Sequence, residues 1–179
     1  MLIEIYCDKF KENGEIRPAI HFHKGLNTVE GTDSGTNSIG KSTFLMIIDY
    51  VFGGNDYINI CDDVHKNIRT HVIKWKFQFG DDLFAFSRST GNSNEVNICD
   101  GQYITTAQIS IDAYRQLLAE KYNIPSAQST FRDIAGLFFR VYGRPTLDEK
   151  YPLTMINREP LDKGVQRLLK IYSKYNEIG

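Results

Sequence analysis

Long apolar runs are missing from this sequence: no stretch approaches the roughly eighteen uninterrupted apolar residues of a membrane-spanning helix. Cysteine is scarce. Cys7, Cys61 and Cys99 are odd in number and widely separated, which argues against a disulfide framework and for reduced thiols that pack as ordinary side chains in a cytoplasm. The first eight residues, Met1 to Asp8, carry acids where an export signal carries basic residues, so no such signal is expected. Nor is there a surplus of charge of one sign. The formal net charge is −1, which gives nucleic-acid binding no global electrostatic basis. Internal repeats and low-complexity tracts are absent, which leaves no argument for a repeat array.

What is present is ordinary in bulk: 179 residues, 41% hydrophobic and 24% charged, enough for one soluble domain with a substantial core or for part of a larger one. Charge is unevenly spread. Residues 1–130 hold 12 basic and 16 acidic side chains, whereas residues 131–179 hold 9 and 6. A mildly basic tail of this kind reads as solvated surface, with DNA or an acidic partner as the alternative.

Residues 35–42 read Gly35-Thr36-Asn37-Ser38-Ile39-Gly40-Lys41-Ser42 and fit G-x-x-x-x-G-K-[ST], the phosphate-binding P-loop. Upstream, Gly25 to Gly31 is strand-like; downstream, Ser42 to Phe52 is apolar with helical character and is closed by Gly53-Gly54. Strand, glycine loop and helix form the context in which backbone N–H groups cradle a triphosphate and a helix N-terminus adds its positive end. The expected nucleotide-binding residues are Gly35, Asn37, Ser38, Ile39, Gly40, Lys41, Ser42 and Thr43. Gly40 permits close backbone approach, Lys41 reaches the β- and γ-phosphates, and the Ser42 hydroxyl is the expected Mg²⁺ ligand. ATP and Mg²⁺ are thus the expected cofactors. Eight residues with four fixed positions also arise by chance in a Gly/Ser/Thr-rich surface loop; the flanks favour a site.

Along the chain, Ile3, Ile5 and Cys7 alternate with polar residues as in a half-buried strand, and Asn13-Gly14 supplies a turn to a second strand near Ile16. His21 and His23 fall on one face of an extended segment, the geometry of a metal pair. No Cys, Asp or Glu nearby completes a ligand set, so they read as solvent-facing. Asn55 to Asn67 reads as a loop with a helical turn around Asp62–Lys66. Ile73, Trp75, Phe77 and Phe79 then alternate with Lys74, Lys76 and Gln78, opening an antiparallel meander over residues 69–105. Its aromatic face reads as core rather than as a base-stacking platform. Helices are expected from Ile111 to Tyr122, with Ser110 or Asp112 near the start, and from Thr130-Phe131-Arg132-Asp133, a capping box with Asp in place of Glu. The stripe Phe131, Ile134, Ala135, Phe138 and Tyr142 should pack on the sheet, and a last helix should run from Leu161 to Asn176.

The order of these elements resembles the N-terminal half of the coiled-coil ABC ATPases, the SMC, RecF and RecN group and their bacterial relatives. The usual text there is a GLN-x-[IV]-x-G strand leading into N-x-x-GKS[TN]; Gly25-Leu26-Asn27-Thr28-Val29-Glu30-Gly31 and Asn37 to Thr43 are similar to it. Between them this chain is several residues longer than the common form. The resemblance is specific over residues 1–54 and architectural over residues 55–179. It implies an α/β fold with α+β character: an ABC-type P-loop NTPase lobe built as one domain, 1–179, with a P-loop unit (1–54), a mixed sheet carrying the antiparallel meander (69–105), and a helical part (110–179) leading toward a coiled coil.

The resemblance also defines what is not found. The family's Q-loop glutamine falls near Phe139 to Arg144, which contains no Gln; Gln128 and Gln166 are poorly placed substitutes, and Arg140 and Arg144 read as helix-surface residues with phosphate contact as the alternative. There is no LSGGQ-like signature and no Walker B. Asp49 follows Met46-Ile47-Ile48 but sits one helix after the P-loop, and Val96-Asn97-Ile98-Cys99-Asp100 is interrupted by a polar residue. In the family these parts come from the C-terminal half. The expectation is therefore an ATP-binding lobe in DNA repair, chromosome maintenance or phage defence, inactive in hydrolysis by itself. Its expected partner is that half or a second copy, with DNA as a further candidate and no membrane. The alternatives are a complete small P-loop kinase or NTPase, and a non-hydrolytic, nucleotide-switched module that docks a partner or DNA.

Overall fold

Strict alternation of large apolar and polar residues makes Val72–Phe79 a strand (β5) that buries Ile73, Trp75 and Phe77 on one face and turns Lys74, Lys76 and Gln78 to the other. The protein is described here from a computed structural model covering residues 1–12, 14–29, 38–124, 130–138 and 160–172. From β5 the chain turns tightly through Gly80, whose φ of +61° suits a residue without a Cβ, into β6 (Asp82–Ser89). A second tight turn leads to β7 (Asn92–Cys99), and a longer one to β8 (Thr105–Ser110). Asp100 organises the longer turn by accepting from the amides of Gln102 and Ile104, both at 2.9 Å.

The remaining strands are N-terminal: β1 (Leu2–Tyr6), β2 (Lys11–Glu12), β3 (Glu15–Ile16) and β4 (Ile20–His21). The main sheet has the order β4-β1-β5-β6-β7-β8, and every pairing in it is antiparallel; β2 and β3 form a separate hairpin. The architecture is therefore α+β with a six-stranded antiparallel sheet, and the expected mixed sheet is corrected: no parallel pair occurs among the described residues. Two strand boundaries also shift. The meander, expected to end at residue 105, continues to 110 in its final strand, β8. In β1 the pairing with β5 slips between Leu2 and Glu4, so Ile3 is the extra residue of a bulge. That slip moves the buried phase to Leu2, Ile5 and Cys7 in place of Ile3, Ile5 and Cys7.

Six helices complete the described chain: α1 (Ser38–Val51), α2 (Asp56–Ile60), α3 (Asp62–Ile68), α4 (Ile111–Lys121), α5 (Phe131–Phe138) and α6 (Leu161–Ile171). The stretch 55–67 is two short helices: α3 covers the helical turn expected around Asp62–Lys66, and α2 replaces the loop before it, where Tyr57 is buried with its hydroxyl 2.8 Å from His71 Nε2. Ser110 caps α4 by accepting from the Ala113 amide at 3.1 Å. The box at the start of α5 is reciprocal: the Asp133 amide donates to Thr130 Oγ1 at 3.2 Å, and the Thr130 amide to Asp133 Oδ2 at 3.1 Å. Helix α5 packs on α4 and α6, with Phe131 against Phe52 and Tyr122, and its Phe131 and Ala135 join the core cluster that the sheet residues build. Tyr142 and residues 173–179 lie outside the described residues. On α6, Val165 and Tyr172 face outward.

The core fills one sheet face. Ile5, Ile73, Trp75, Phe77, Phe86 and Val96 meet Met46, Ile47, Tyr50 and Val51 of α1 and Tyr114 and Leu118 of α4. A polar relay ties the layers: Trp75 Nε1 donates to the Tyr114 hydroxyl at 3.0 Å, which donates to the Val51 carbonyl at 2.8 Å. Burial pushes the Tyr114 phenol well above its ordinary range, so it stays a donor.

The C-terminal end of α1 is held most densely. Gly53 adopts φ +81°, its amide donates to Tyr50 O, and the Gly54 amide donates to Asp49 O, the two bonds of a Schellman motif. The terminal carbonyls are then gripped by three arginines from three elements. Arg88 of β6 reaches Tyr50 O and Gly54 O, Arg115 of α4 reaches Gly53 O, and Arg132 of α5 reaches Phe52 O. Arg88 is fully buried, lies 4.0 Å over the Tyr50 ring, and uses all five N–H groups, the others going to Ser93 O and Asn55 Oδ1. Arg132 also pairs at 2.7 Å with Asp49, a fully buried carboxylate. Arg88→Met should destabilise the fold by at least about 3 kcal/mol, because its charge-assisted bonds vanish and buried carbonyls lose their donors. A urea titration checks this; a loss below about 1 kcal/mol would show that the clamp is dispensable.

The opposite sheet face carries a second polar cluster. Tyr103 donates to Glu4 Oε1 at 2.7 Å, Lys76 lies 3.2 Å from the same oxygen, and both Lys74 and Lys76 sit over the Tyr103 ring. Burial by itself would raise the Glu4 carboxyl, but the Tyr103 hydroxyl and the Lys76 ammonium outweigh it and hold the group below its ordinary 4.5. The folded state therefore binds fewer protons here than the unfolded chain. The resulting stability is present above the unfolded pKa and is lost as pH falls through the folded one. Glu4→Gln should flatten the acid limb of the stability curve between about pH 3 and pH 6, with little change in slope at neutral pH.

Candidate functional site

The residues of the phosphate-binding pattern divide across the described boundary. Gly35, Thr36 and Asn37 lie outside the described residues, as do Glu30 to Ser34. Ser38 and Ile39 open α1, which begins four residues earlier than the expected start at Ser42, so Gly40, Lys41, Ser42 and Thr43 are helical. The first-turn amides of a helix have no intrahelical acceptor, and among the described residues these are the amides of Ser38, Ile39 and Gly40. No acidic side chain occupies that turn. Lys41 is exposed, and Ser42 and Thr43 are half-buried. A Cβ built on Gly40 would meet nothing within 4 Å, so packing against the described residues does not call for glycine there.

The expected strand upstream is corrected over residues 25–29, which are exposed and carry no strand pairing. A side-chain-closed turn stands in its place. Asn27 Oδ1 accepts from the His23 amide at 3.0 Å, and Asn27 Nδ2 donates to His23 O at 2.9 Å and Gly25 O at 3.2 Å. The turn leaves Leu26 81% exposed. His21 and His23 do not converge: His21 Nδ1 lies 3.6 Å from Glu4 Oε2, while His23 Nδ1 lies 2.9 Å from Lys24 O. Among the described residues no group of three or more His, Cys, Asp or Glu could hold a metal ion.

Between this turn and α1 opens a cleft of about 970 Å³. Gly40 and Lys41 stand at one end, with Thr43, Phe44 and Ile48 along α1 as one wall. The β2–β3 hairpin and the 20–29 segment form the other, and Tyr57, Val64 and Ile68 supply the floor. The lining contains the cations Lys9, Lys11, Arg17 and Lys41 and two histidines, and among the described lining residues there is no carboxylate. Phe22 and Phe44 face each other across it with rings parallel within 5° and centroids 6.2 Å apart. A cationic rim over an apolar floor suits a ligand with a polyanionic end and a flat or apolar body, and the volume is at the upper end for small-molecule sites.

Ser42 has the chemistry of a magnesium ligand and lies in the first turns of the helix, but it is not among the residues that line the cleft. Asp49 does not join it: seven residues further on it lies about 10.5 Å along the axis, and it is bound to Arg132. A Mg²⁺ at this end of α1 would take the Ser42 hydroxyl, with phosphate and water among its further ligands. Gln166 lies on α6 and does not line the cleft; Gln128, Arg140 and Arg144 fall outside the described residues. Sequence reasoning missed Arg88, Arg115 and Arg132 as the anchors of α1. One signal was available, since Arg88 shares the core-facing phase of β6 with Phe84 and Phe86.

No known family model, curated protein or solved structure matches the chain. No helix among the described residues is long and apolar enough to cross a membrane.

Asn27→Ala should speed hydrogen exchange at the His23 amide while changing global stability by no more than about 1–2 kcal/mol, since its three bonds are exposed. Unchanged exchange at that amide would show that the turn is held by other contacts.

Proposed function

We propose that the cleft binds a magnesium nucleoside triphosphate, ATP, with its phosphates at the N-terminus of α1. The supporting observation is the cation-rimmed cleft, without a carboxylate among its described lining residues, into which the first turn of α1 opens with Gly40 and Lys41. First-turn amides without an intrahelical acceptor and the positive end of the helix dipole favour an anion there, and Lys41 adds a mobile charge for the terminal phosphates. Together with the P-loop text, this supports reading the chain as the nucleotide-binding lobe of an SMC- or RecN-like ATPase that acts with a C-terminal half or a second copy. A role in DNA repair, chromosome maintenance or phage defence, with DNA as a partner, follows only from that resemblance.

Binding without turnover is the state the described residues support. Lys41 and Ser42 stabilise bound phosphate before any bond breaks, and the described lining holds no carboxylate to activate water. The same observation favours a nucleotide-operated switch as the second reading. A kinase is disfavoured, since kinases of this class alternate strands and helices in βαβ order and this sheet is antiparallel throughout.

Lys41→Ala should weaken ATP binding at least about tenfold, the loss of one charge-assisted contact. Calorimetry with Mg-ATP measures it, and equal affinities would reject the assignment. In a phosphate-release assay the chain alone should be inactive. Turnover near one per second, abolished by Lys41→Ala, would mark a complete enzyme, about one per second being the slow end of typical catalysis.

A further inference from the structure

We propose that the Phe22–Phe44 pair is the nucleobase slot of this cleft, holding the base between its two rings; this rests on the nucleotide-binding reading above. Phe22 packs against the core on one side, as Phe52 does, but Phe22 and Phe44 both also line the cleft, which Phe52, Phe131, Trp75 and Phe86 of other parallel pairs do not. Phe44 follows Gly40 by four residues. It therefore stands on the same face of α1 one turn on, about 6 Å along the axis from the phosphate end. A nucleotide laid along the helix with its phosphates at Gly40 and Lys41 brings its base to these rings.

A flat ring between two others needs two contacts of about 3.5 Å, or about 7 Å in all. The parallel rings have centroids 6.2 Å apart, so their planes stand no further apart than that and must part by at least about 1 Å to admit a base. The Phe22 backbone is fixed by its amide bond to Ile3 O, which leaves rotation of the ring to supply that movement. Ile47, Ile48, Val64 and Ile68, also in the lining, have no side-chain donors or acceptors with which to read a base edge. Asn27 is engaged by His23 and Gly25. Beside these apolar neighbours the main contact of a base is stacking on its face, so adenine and guanine should bind alike.

Calorimetry with ATP, GTP and inorganic tripolyphosphate, each with magnesium, tests this on the wild type and on Phe44→Leu, which keeps apolar bulk and removes the ring. The wild type should bind ATP and GTP within about threefold of each other and at least about fivefold tighter than tripolyphosphate. Phe44→Leu should erase that margin and leave tripolyphosphate binding unchanged, which also reports an intact fold; Phe44→Trp should restore it. Three results would overturn the slot: no wild-type preference for nucleotide over tripolyphosphate, an equal loss for both ligands in Phe44→Leu, or a GTP affinity more than about tenfold below that of ATP. Tripolyphosphate binding that depends on Lys41, with no gain from the base, would remove the slot alone. Failure of every ligand to bind would remove the triphosphate site and the slot with it.

Discussion

Three guanidinium groups converge on the last carbonyls of one helix, and the arrangement of the other elements follows from that convergence. Arg88 comes from the sheet, Arg115 from the helix after the meander and Arg132 from the next helix. Each meets the negative end of α1, where a cation is favoured by about 0.3–1 kcal/mol at the surface and up to about 2 when partly buried. Arg88 makes the strongest case. A fully buried guanidinium carries a large desolvation penalty, which its five bonds, the Tyr50 ring and the helix dipole together offset. Burial draws its pKa down, with Arg115 and Arg132 pushing the same way and Tyr50 and Tyr114 opposing. The ordinary range of arginine is high enough that it stays charged.

The clamp constrains more than a helix end. Asp49, one turn before the cap, pairs with Arg132, and a Cβ at Gly54 would fall 1.8 Å from its Oδ2. The backbone after α1 is therefore pressed against a buried carboxylate, a position that only glycine allows. Asp49 looked like a misplaced catalytic acid in the sequence; in the structure it is an anchoring group. With the Trp75–Tyr114–Val51 relay, these contacts fix α1 to both the sheet and α4 through its C-terminal turns.

How far the chain was legible depended on the range of the forces involved. Patterns decided by neighbours a few residues apart could be read directly: the alternation of Ile73, Trp75 and Phe77, the cap at Ser110, the Thr130–Asp133 box, and the glycines that close α1. Features set by distant partners could not. The Ile3 bulge exists because β1 must register with β5, some seventy residues away. The helix Asp56–Ile60 is held by a Tyr57–His71 contact that no local propensity encodes. Residues 25–29 look like a strand by composition, yet a strand needs a neighbour, and in the described structure Asn27 folds the segment onto itself. As for the candidate site, the helix and the place of Lys41 were legible. The cationic rim, assembled from Lys9, Lys11 and Arg17 across a hairpin, was not.

The two ends of α1 differ in how the protein treats their charge. Fourteen residues make a helix about 21 Å long, with partial charges of about half a unit at each end. At the negative end three arginines and a Schellman turn satisfy the terminal carbonyls. At the positive end no acidic residue sits in the first turn, and the adjoining lining adds four cations and no described carboxylate. A protein stabilising the helix for its own sake would place Asp or Glu in that first turn, as α4 does with Asp112 and α5 with Asp133. Leaving α1 without one forgoes a few tenths of a kcal/mol to about 1 kcal/mol and concentrates positive potential in a cleft with an apolar floor. Anchoring the far end rigidly keeps that potential in place, which the proposed phosphate site requires. This asymmetry distinguishes α1 from the other helices, and it gives the glycine-lysine-serine turn a physical reason to stand where it does.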